Sequence, residues 1–451
     1  MEQKRAIVAG AGSAGLLMAR ELARAGFGVK VFEALDEATY MSLHNWSDAI
    51  EFSAFEMAGM PVPVLEGKRF TGPGVRPAPG ERGLFEPHAI PDLAIFSPDY
   101  SVRTKSDVKF RYVVADRQEL RRIQLEQALS EGVEIAYKTR IDGLLGEIGR
   151  PLSELKIEGV KADGADHPAD LVIDASGREG NLRRMVGNDA LVEKVCGKAK
   201  AEAFRTVRRY KDGPAPFNFI DHYRYGAYQG YFWIHFHDEG IVDIGGGMPF
   251  GGGIKEKVLE LVSTFPNVTD EELRGGGGVL YLNEPPPTLV AGGFMVIGDS
   301  AGQVNPNNGC GVGSAWIGAL AAIDAIKRAK DFTLESLWLY NKEWFHGRGA
   351  HYAALNTMKN LLQELSHDEI ALLMRMNVMS GELLTNNLNG VFAPSSASDS
   401  FRALGLIFRS PSLLSKLMKA NSAGKKCYDR YMSYPGTWNE QSFNAWRDTG
   451  S

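Results

Sequence analysis

A chain of 451 residues, 44% hydrophobic and 23% charged with a formal charge of −5, is long enough for two or three packed domains. The mild acidity, without a basic block or a basic–aromatic stripe, argues against a nucleic-acid partner. Cys196, Cys310 and Cys427 are scattered and odd in number, which argues against a disulfide framework, a zinc ribbon or a cysteine-bound iron–sulfur cluster and predicts a reducing compartment. The chain enters a strand at once, so no signal peptide is expected, and no apolar run reaches the ~18 residues of a membrane span.

In chain order, the apolar run 6–9 predicts a short buried strand. Gly10, Gly12 and Gly15 follow as G-x-G-x-x-G, with Ser13 and Ala14 completing the turn into a helix. The first glycine of such a motif permits a tight turn, the second lets the backbone approach a pyrophosphate, and the third allows close helix–strand packing. The helix N-terminus then faces the anion. Glu33 closes the next predicted strand, 28–32, about 20 residues on, where a carboxylate accepts from a ribose hydroxyl. This segment alone leaves FAD and NAD open, since both carry an ADP half.

Residues 40–105 are rich in Pro and Gly and read as irregular chain with short strands. Asp116-Arg117 opens a helix over 118–130, with Leu120, Ile123, Leu125 and Leu129 at roughly helical spacing. Strands and hairpins are expected over 133–160, and a buried strand over 169–175 that ends in Ser176-Gly177. Residues 200–285 are strand-rich with aromatic clusters, and Gly275 to Gly278 read as a turn entering a strand. The apolar run 294–297 predicts another strand, 298–313 (GDSAGQVNPNNGCGVG) a turn, and 315–326 a helix. That order reaches a nucleotide from a second side, and two distant segments completing one site imply a flavoprotein rather than a simple NAD enzyme. From residue 331 onward the chain reads as helical, with a capping box at Ser366 and Glu369. Met358, Met374, Met376, Met379 and Met418 are expected as adaptable core. The aromatic tail 434–446 has no assignment.

Three segments together, GAGSAG with Glu33, ADLVIDASGREG and GDSAGQVNPNNGCGVG, resemble the FAD fingerprints of the p-hydroxybenzoate-hydroxylase-like flavoproteins. Within that group the chain most resembles the geranylgeranyl reductase family, which includes the digeranylgeranylglycerophospholipid reductases. Two matches carry the narrower likeness: Asp48-Ala49-Ile50 through Gly59-Met60-Pro61, and Tyr231-Phe232-Trp233-Ile234-His235-Phe236, which is similar to the family's Tyr-x-Trp-x-Phe-Pro. Both depart from the pattern. Trp46-Ser47 stand where the family often has Cys-Gly, and His235-Phe236 stand where it has Phe-Pro.

The resemblance implies an α/β (α+β) architecture. A Rossmann-like FAD-binding domain takes residues 1–60, 106–190 and 287–330. An antiparallel-sheet substrate domain takes 61–105 and 191–286, and a helical C-terminal region takes 331–451. It implies FAD held by Gly10, Gly12, Ser13, Ala14, Gly15, Glu33, Arg117, Gly298 and Asp299, with Gly309, Gly311, Val312 and Gly313 letting the backbone lie close to the isoalloxazine. Arg117 reads equally well as a surface arginine, and Asp174 as purely structural. The implied activity is reduction of C=C bonds of an isoprenoid or similar apolar substrate, with hydride from flavin N5. Such chemistry needs an acid beside the alkene and the exclusion of water. Tyr231, Trp233, His235 and Trp46 are the candidate catalytic-pocket residues, and Tyr225 and His237 are further candidate proton donors. His44, Asn45 and Ser47 flank the same loop. No second G-x-G-x-x-G follows a strand, so the electron donor is a ferredoxin-like protein or NAD(P)H in transient contact. The expected setting is the cytoplasm, with peripheral membrane contact left open. Two rival readings stay open: an FAD-dependent monooxygenase or halogenase acting on an aromatic substrate, and an electron-carrier or inactive flavoprotein.

Overall fold

The strand Arg5–Ala9 is almost wholly buried because it is flanked on both sides, by Gly28–Phe32 and by Leu171–Asp174, in parallel register. The computed structural model describes residues 3–67, 69–77, 81–85, 94–104, 111–193, 199–211, 221–225, 230–237, 240–282, 284–393 and 402–449. Around the central strand lies a six-stranded sheet in the order Val290–Ala291, Phe294–Val296, Leu171–Asp174, Arg5–Ala9, Gly28–Phe32, Glu134–Ala136. It is parallel apart from the hairpin at the Val290–Ala291 edge. Buried on both faces, its strands read as near-continuous apolar runs. This is the Rossmann-like part of the expected α/β (α+β) class, and the class is borne out.

Helices Ser13–Arg24 and Val312–Arg328 cover the sheet and meet each other. Trp316, fully buried, locks the junction. Its Nε1 donates to the Ser13 carbonyl at 3.2 Å, and its ring packs edge-on against Phe55 at 5.2 Å. Close packing of the first helix depends on glycine. A Cβ on Gly15 would lie 2.0 Å from the Gly10 carbonyl oxygen, and Gly10 itself sits at φ +100°.

A second sheet has seven strands in the order Val268–Tyr281, Lys200–Tyr210, Ile241–Pro249, Tyr231–His237, Asp221–Tyr225, Ala94–Phe96, Arg103–Thr104. All neighbours are antiparallel except Asp221–Tyr225 with Ala94–Phe96. Successive side chains on a strand point to opposite faces. Phe232, Ile234, Val242 and Ile244 therefore form a core with helix Ile254–Ser263, while Tyr231, Trp233, His235 and Asp243 face the other way. The residues Gly275 to Gly278, expected as a turn, instead lie inside Val268–Tyr281 and pair with Ala203 to Thr206. Glycine is tolerated in this strand because neighbours crowd it: a Cβ on Gly277 would lie 2.7 Å from the Ala203 carbonyl oxygen, and one on Gly276 would lie 2.8 Å from the Trp46 ring. Four helices are not expected from the sequence: Glu37–Ser42, Phe52–Met57, Asn181–Met185 and Ile254–Ser263.

Ser47–Glu51 and Tyr112–Asp116 form a separate antiparallel pair. It leads into helix Arg117–Ser130, which Asp116 caps through the amides of Gln118 and Glu119. After residue 331 the described chain is helical, and the capping box at Ser366 and Glu369 is present. Met374 and Met379 are core, but Met418 is an exception to the expected burial, 65% exposed on helix Pro411–Met432. The unassigned tail folds back as an aromatic lock. Trp338 stacks on Tyr434 at 5.5 Å, Phe345 meets Tyr434 at 4.5 Å, and the Tyr434 hydroxyl donates to the Pro287 carbonyl at 3.0 Å. Among the described residues no helix is long and apolar enough to cross a membrane.

Candidate active site

A cavity of about 610 Å³ runs from the carboxyl ends of the parallel strands to the outward face of the antiparallel sheet. At its first end, Gly12, Ser13, Ala14, Gly177, Gly298, Asp299, Gly309, Gly311 and Val312 line the wall. Helices Ser13–Arg24 and Val312–Arg328 both begin here with glycine at the N-cap and no side-chain cap. Their first amides are left for a ligand, and both positive dipole ends point toward the same space. That donor set fits a dinucleotide pyrophosphate.

Asp299 follows the strand Phe294–Val296, with Gly311 directly beside its carboxylate. Burial raises its pKa, while Arg117 and Arg178 act in the opposite direction. The other nucleotide candidates lie behind the wall. Gly10 and Gly15 allow the turn to close. Gly313 packs against Glu51 and Ala54. Glu33 accepts from the Ala11 amide at 3.0 Å and the Leu35 amide at 2.9 Å. Asp174 is fully buried and accepts from Ser176, Arg183 and Ser300, tying the two glycine turns together.

At the second end, Tyr231, Trp233, His235 and Trp46 all line the cavity. The Tyr231 hydroxyl donates to the Asn308 carbonyl at 2.8 Å, which couples the antiparallel sheet to the glycine-rich turn. The Trp46 ring meets His44 at 5.1 Å. His44 adopts φ +52°, and its Nδ1 lies 3.0 Å from the Arg121 guanidinium. Burial, with Arg117 and Arg121 nearby, pushes His44 down to about 4, so its imidazole is neutral at pH 7. The Ser47 hydroxyl is buried without a hydrogen-bond partner, and Asn45 is exposed. The side chains of Tyr225 and His237 lie outside the described residues.

A chain of charges joins the two ends. Arg117 contacts Asp48 at 2.8 Å, Asp48 contacts Arg205 at 3.0 Å, and Arg205 contacts Asp243 at 3.1 Å. Asp243 then accepts from Trp233 Nε1 at 3.1 Å and stands opposite His235 in register. Arg205 also donates to the Ser47 carbonyl. Burial would raise the Asp48 carboxyl, but Arg205 and Arg117 overcome that cost and hold it below the usual range. The thiol of Cys310, also in the lining, is pushed up to about 12, mainly by burial, and stays protonated. Sequence reasoning missed Arg205, Asp243 and Asn308. The available signal was strand alternation, which puts Asp243 on the same sheet face as Trp233 once the pairing is known.

No protein-family profile matches the sequence. Named relatives do. One is the digeranylgeranylglycerophospholipid reductase of Sulfolobus acidocaldarius, 33% identical over 227 residues, 48% of this chain and 50% of that protein. The enzyme of the same name from Methanoculleus marisnigri is 31% identical over 51% of this chain and 58% of its own length. The match thus spans about half the length of these two relatives. That of Methanothrix thermoacetophila aligns more fully, at 24% identity over 85% of this chain and 94% of its own. Among solved structures, a geranylgeranyl bacteriochlorophyll reductase-like protein of Thermoplasma acidophilum superposes with a TM-score of 0.68 at 17% identity, covering 93% of this chain and all of that one. The flavin-dependent brominase Bmp2 reaches 0.59 at 15% identity, over 91% of this chain and all of its own. These two structures show a shared fold. The resemblance to the geranylgeranyl reductase family drawn from Asp48 through Pro61 and from Tyr231 through Phe236 is borne out by the named relatives.

Proposed function

We propose that this chain is an FAD-dependent oxidoreductase that reduces C=C bonds of an isoprenoid chain or similar apolar substrate. The observation that carries the reading is the continuity of the cavity: the two uncapped helix ends and the aromatic face Tyr231, Trp233, His235 and Trp46 open into one space. Gly12, Ser13, Ala14, Arg117, Asp299, Gly311 and Val312 would hold FAD there. When bound, FAD supplies the hydride.

The chain's own residues do the rest. Trp46 and Trp233 form an apolar wall that holds the substrate and excludes water. Tyr231 Oη and His235 offer the proton for the second carbon. The Asp243 carboxylate fixes the Trp233 ring through its indole N–H. In this reading residues 1–60, 106–190 and 287–330 serve mainly the cofactor and 61–105 and 191–286 mainly the substrate, with Trp46 of the first group and Leu362 of the helical region added to the substrate wall. Electrons arrive from a ferredoxin-like protein or from NAD(P)H.

The test is anaerobic incubation with dithionite and a geranylgeranyl substrate, read by mass spectrometry. Gains of two daltons per reduced bond are expected. No gain on any polyprenyl substrate, together with substrate-dependent dioxygen consumption in the presence of NAD(P)H, overturns the reading in favour of a monooxygenase or halogenase.

A further inference from the structure

We infer that the segment 402–410 and the first half of helix Pro411–Met432 form a docking surface for an anionic lipid bilayer. Phe408 is 93% exposed, and Met418, Leu404 and Ile407 are 65%, 52% and 44% exposed. Four large apolar side chains presented to water within one short stretch mark an interaction site. From Arg402 to Tyr428 the sequence carries Arg402, Arg409, Lys416, Lys419, Lys425 and Lys426 and no Asp or Glu. Lys416 is held by Glu369 on the neighbouring helix, at 2.7 Å, and Lys425 by Asp429, at 2.5 Å. Arg409 and Lys419 are exposed beside the apolar tip. Apolar side chains ringed by cations match the boundary between acyl chains and anionic headgroups.

The patch is also continuous with the cavity. Leu406 and Leu413, buried beneath the exposed tip, belong to one apolar cluster with Ile370, against which Leu362, Tyr231 and Trp233 pack. Ile370, Leu362, Tyr231 and Trp233 line the cavity. A bilayer seated on this face lies against the same apolar layer that walls the substrate end. The advantage of that placement rests on the isoprenoid reading above. The binding itself does not.

The experiment is co-sedimentation of the full chain with phosphatidylcholine vesicles, with and without phosphatidylglycerol. Binding is expected with phosphatidylglycerol and should weaken as salt is raised. Phe408→Ser should lower the partition coefficient by about tenfold or more. Arg409→Glu and Lys419→Glu should each lower it by about fivefold or more. All three sites are exposed, so thermal melting should be unchanged, which separates lost binding from lost fold. Absence of pelleting with either vesicle, or pelleting that the variants do not alter, overturns the proposal. Capture of an acidic electron-carrier protein that depends on Phe408, without vesicle binding, also overturns it. Neither flavin nor turnover is needed for pelleting, so its failure leaves the reductase assay standing, and the converse holds.

Discussion

The two ends of the cavity are built in opposite ways. The nucleotide end is made of backbone: glycines, helix amides and one carboxylate, contributed by two short strand–turn–helix segments. The substrate end is made of side chains from the segment 44–48, four antiparallel strands and the helices Ala350–Leu362 and His367–Arg375. A backbone site tolerates almost no added volume, whereas a side-chain site tolerates small shifts and depends on charge balance instead. Perturbing each end in turn should expose that contrast.

The largest effect is expected from Gly15→Val, whose Cβ would lie 2.0 Å from the Gly10 carbonyl oxygen. The turn cannot relax without separating helix from sheet, so a loss of about 3 kcal/mol or more is expected, with no flavin retained on purification. Denaturant titration and the flavin absorbance of the purified protein check this. Asp243→Ala attacks the other end. It strips one partner from Arg205 and the acceptor from Trp233 Nε1, while Asp48 still holds Arg205. A cost of about 2–3 kcal/mol is expected, with flavin retained.

The pH response of His44 is expected to be comparable in size. Its folded pKa of about 4 lies below the unfolded value of 6.5, so the unfolded chain binds the extra proton between those values. Stability is then full above pH 6.5 and falls as the pH drops toward 4, by about 1–3 kcal/mol. Asn accepts positive φ, so His44→Asn should keep the turn and flatten that part of the stability–pH curve. The last perturbation is Gly276→Ala, which pushes on the Trp46 ring from 2.8 Å at a backbone φ of +155° that side chains rarely adopt. Overpacking and backbone strain of about 1–3 kcal/mol together are expected, with flavin binding unchanged and turnover reduced. Equal flavin loss in Gly15→Val and Gly276→Ala would erase the distinction between the two ends.

The same contrast explains what could be read from the sequence. Gly10, Gly12, Gly15, Asp299 and Gly311 announce themselves because backbone geometry restricts those positions to few residue types, at fixed spacing within one segment. Arg205 and Asp243 carry no such mark: their roles arise from a register of β-pairing between strands distant in the chain. The glycine run in Val268–Tyr281 misled for a related reason. Glycine signals a turn locally, but here it makes room for Trp46, a residue more than two hundred positions earlier. Helices Phe52–Met57 and Glu37–Ser42 were obscured by their length, six residues each, too short for a periodic pattern.

The order of strands in the parallel sheet has a consequence for synthesis. Strands Arg5–Ala9 and Gly28–Phe32 are made first, yet the strand Phe294–Val296 and the helix after it arrive only when most of the chain has left the ribosome. On the proposed reading, the first glycine turn is until then only half of the dinucleotide site. Insertion of the cofactor is therefore a late event, and the interval before it is when the nascent chain is most in need of chaperone cover.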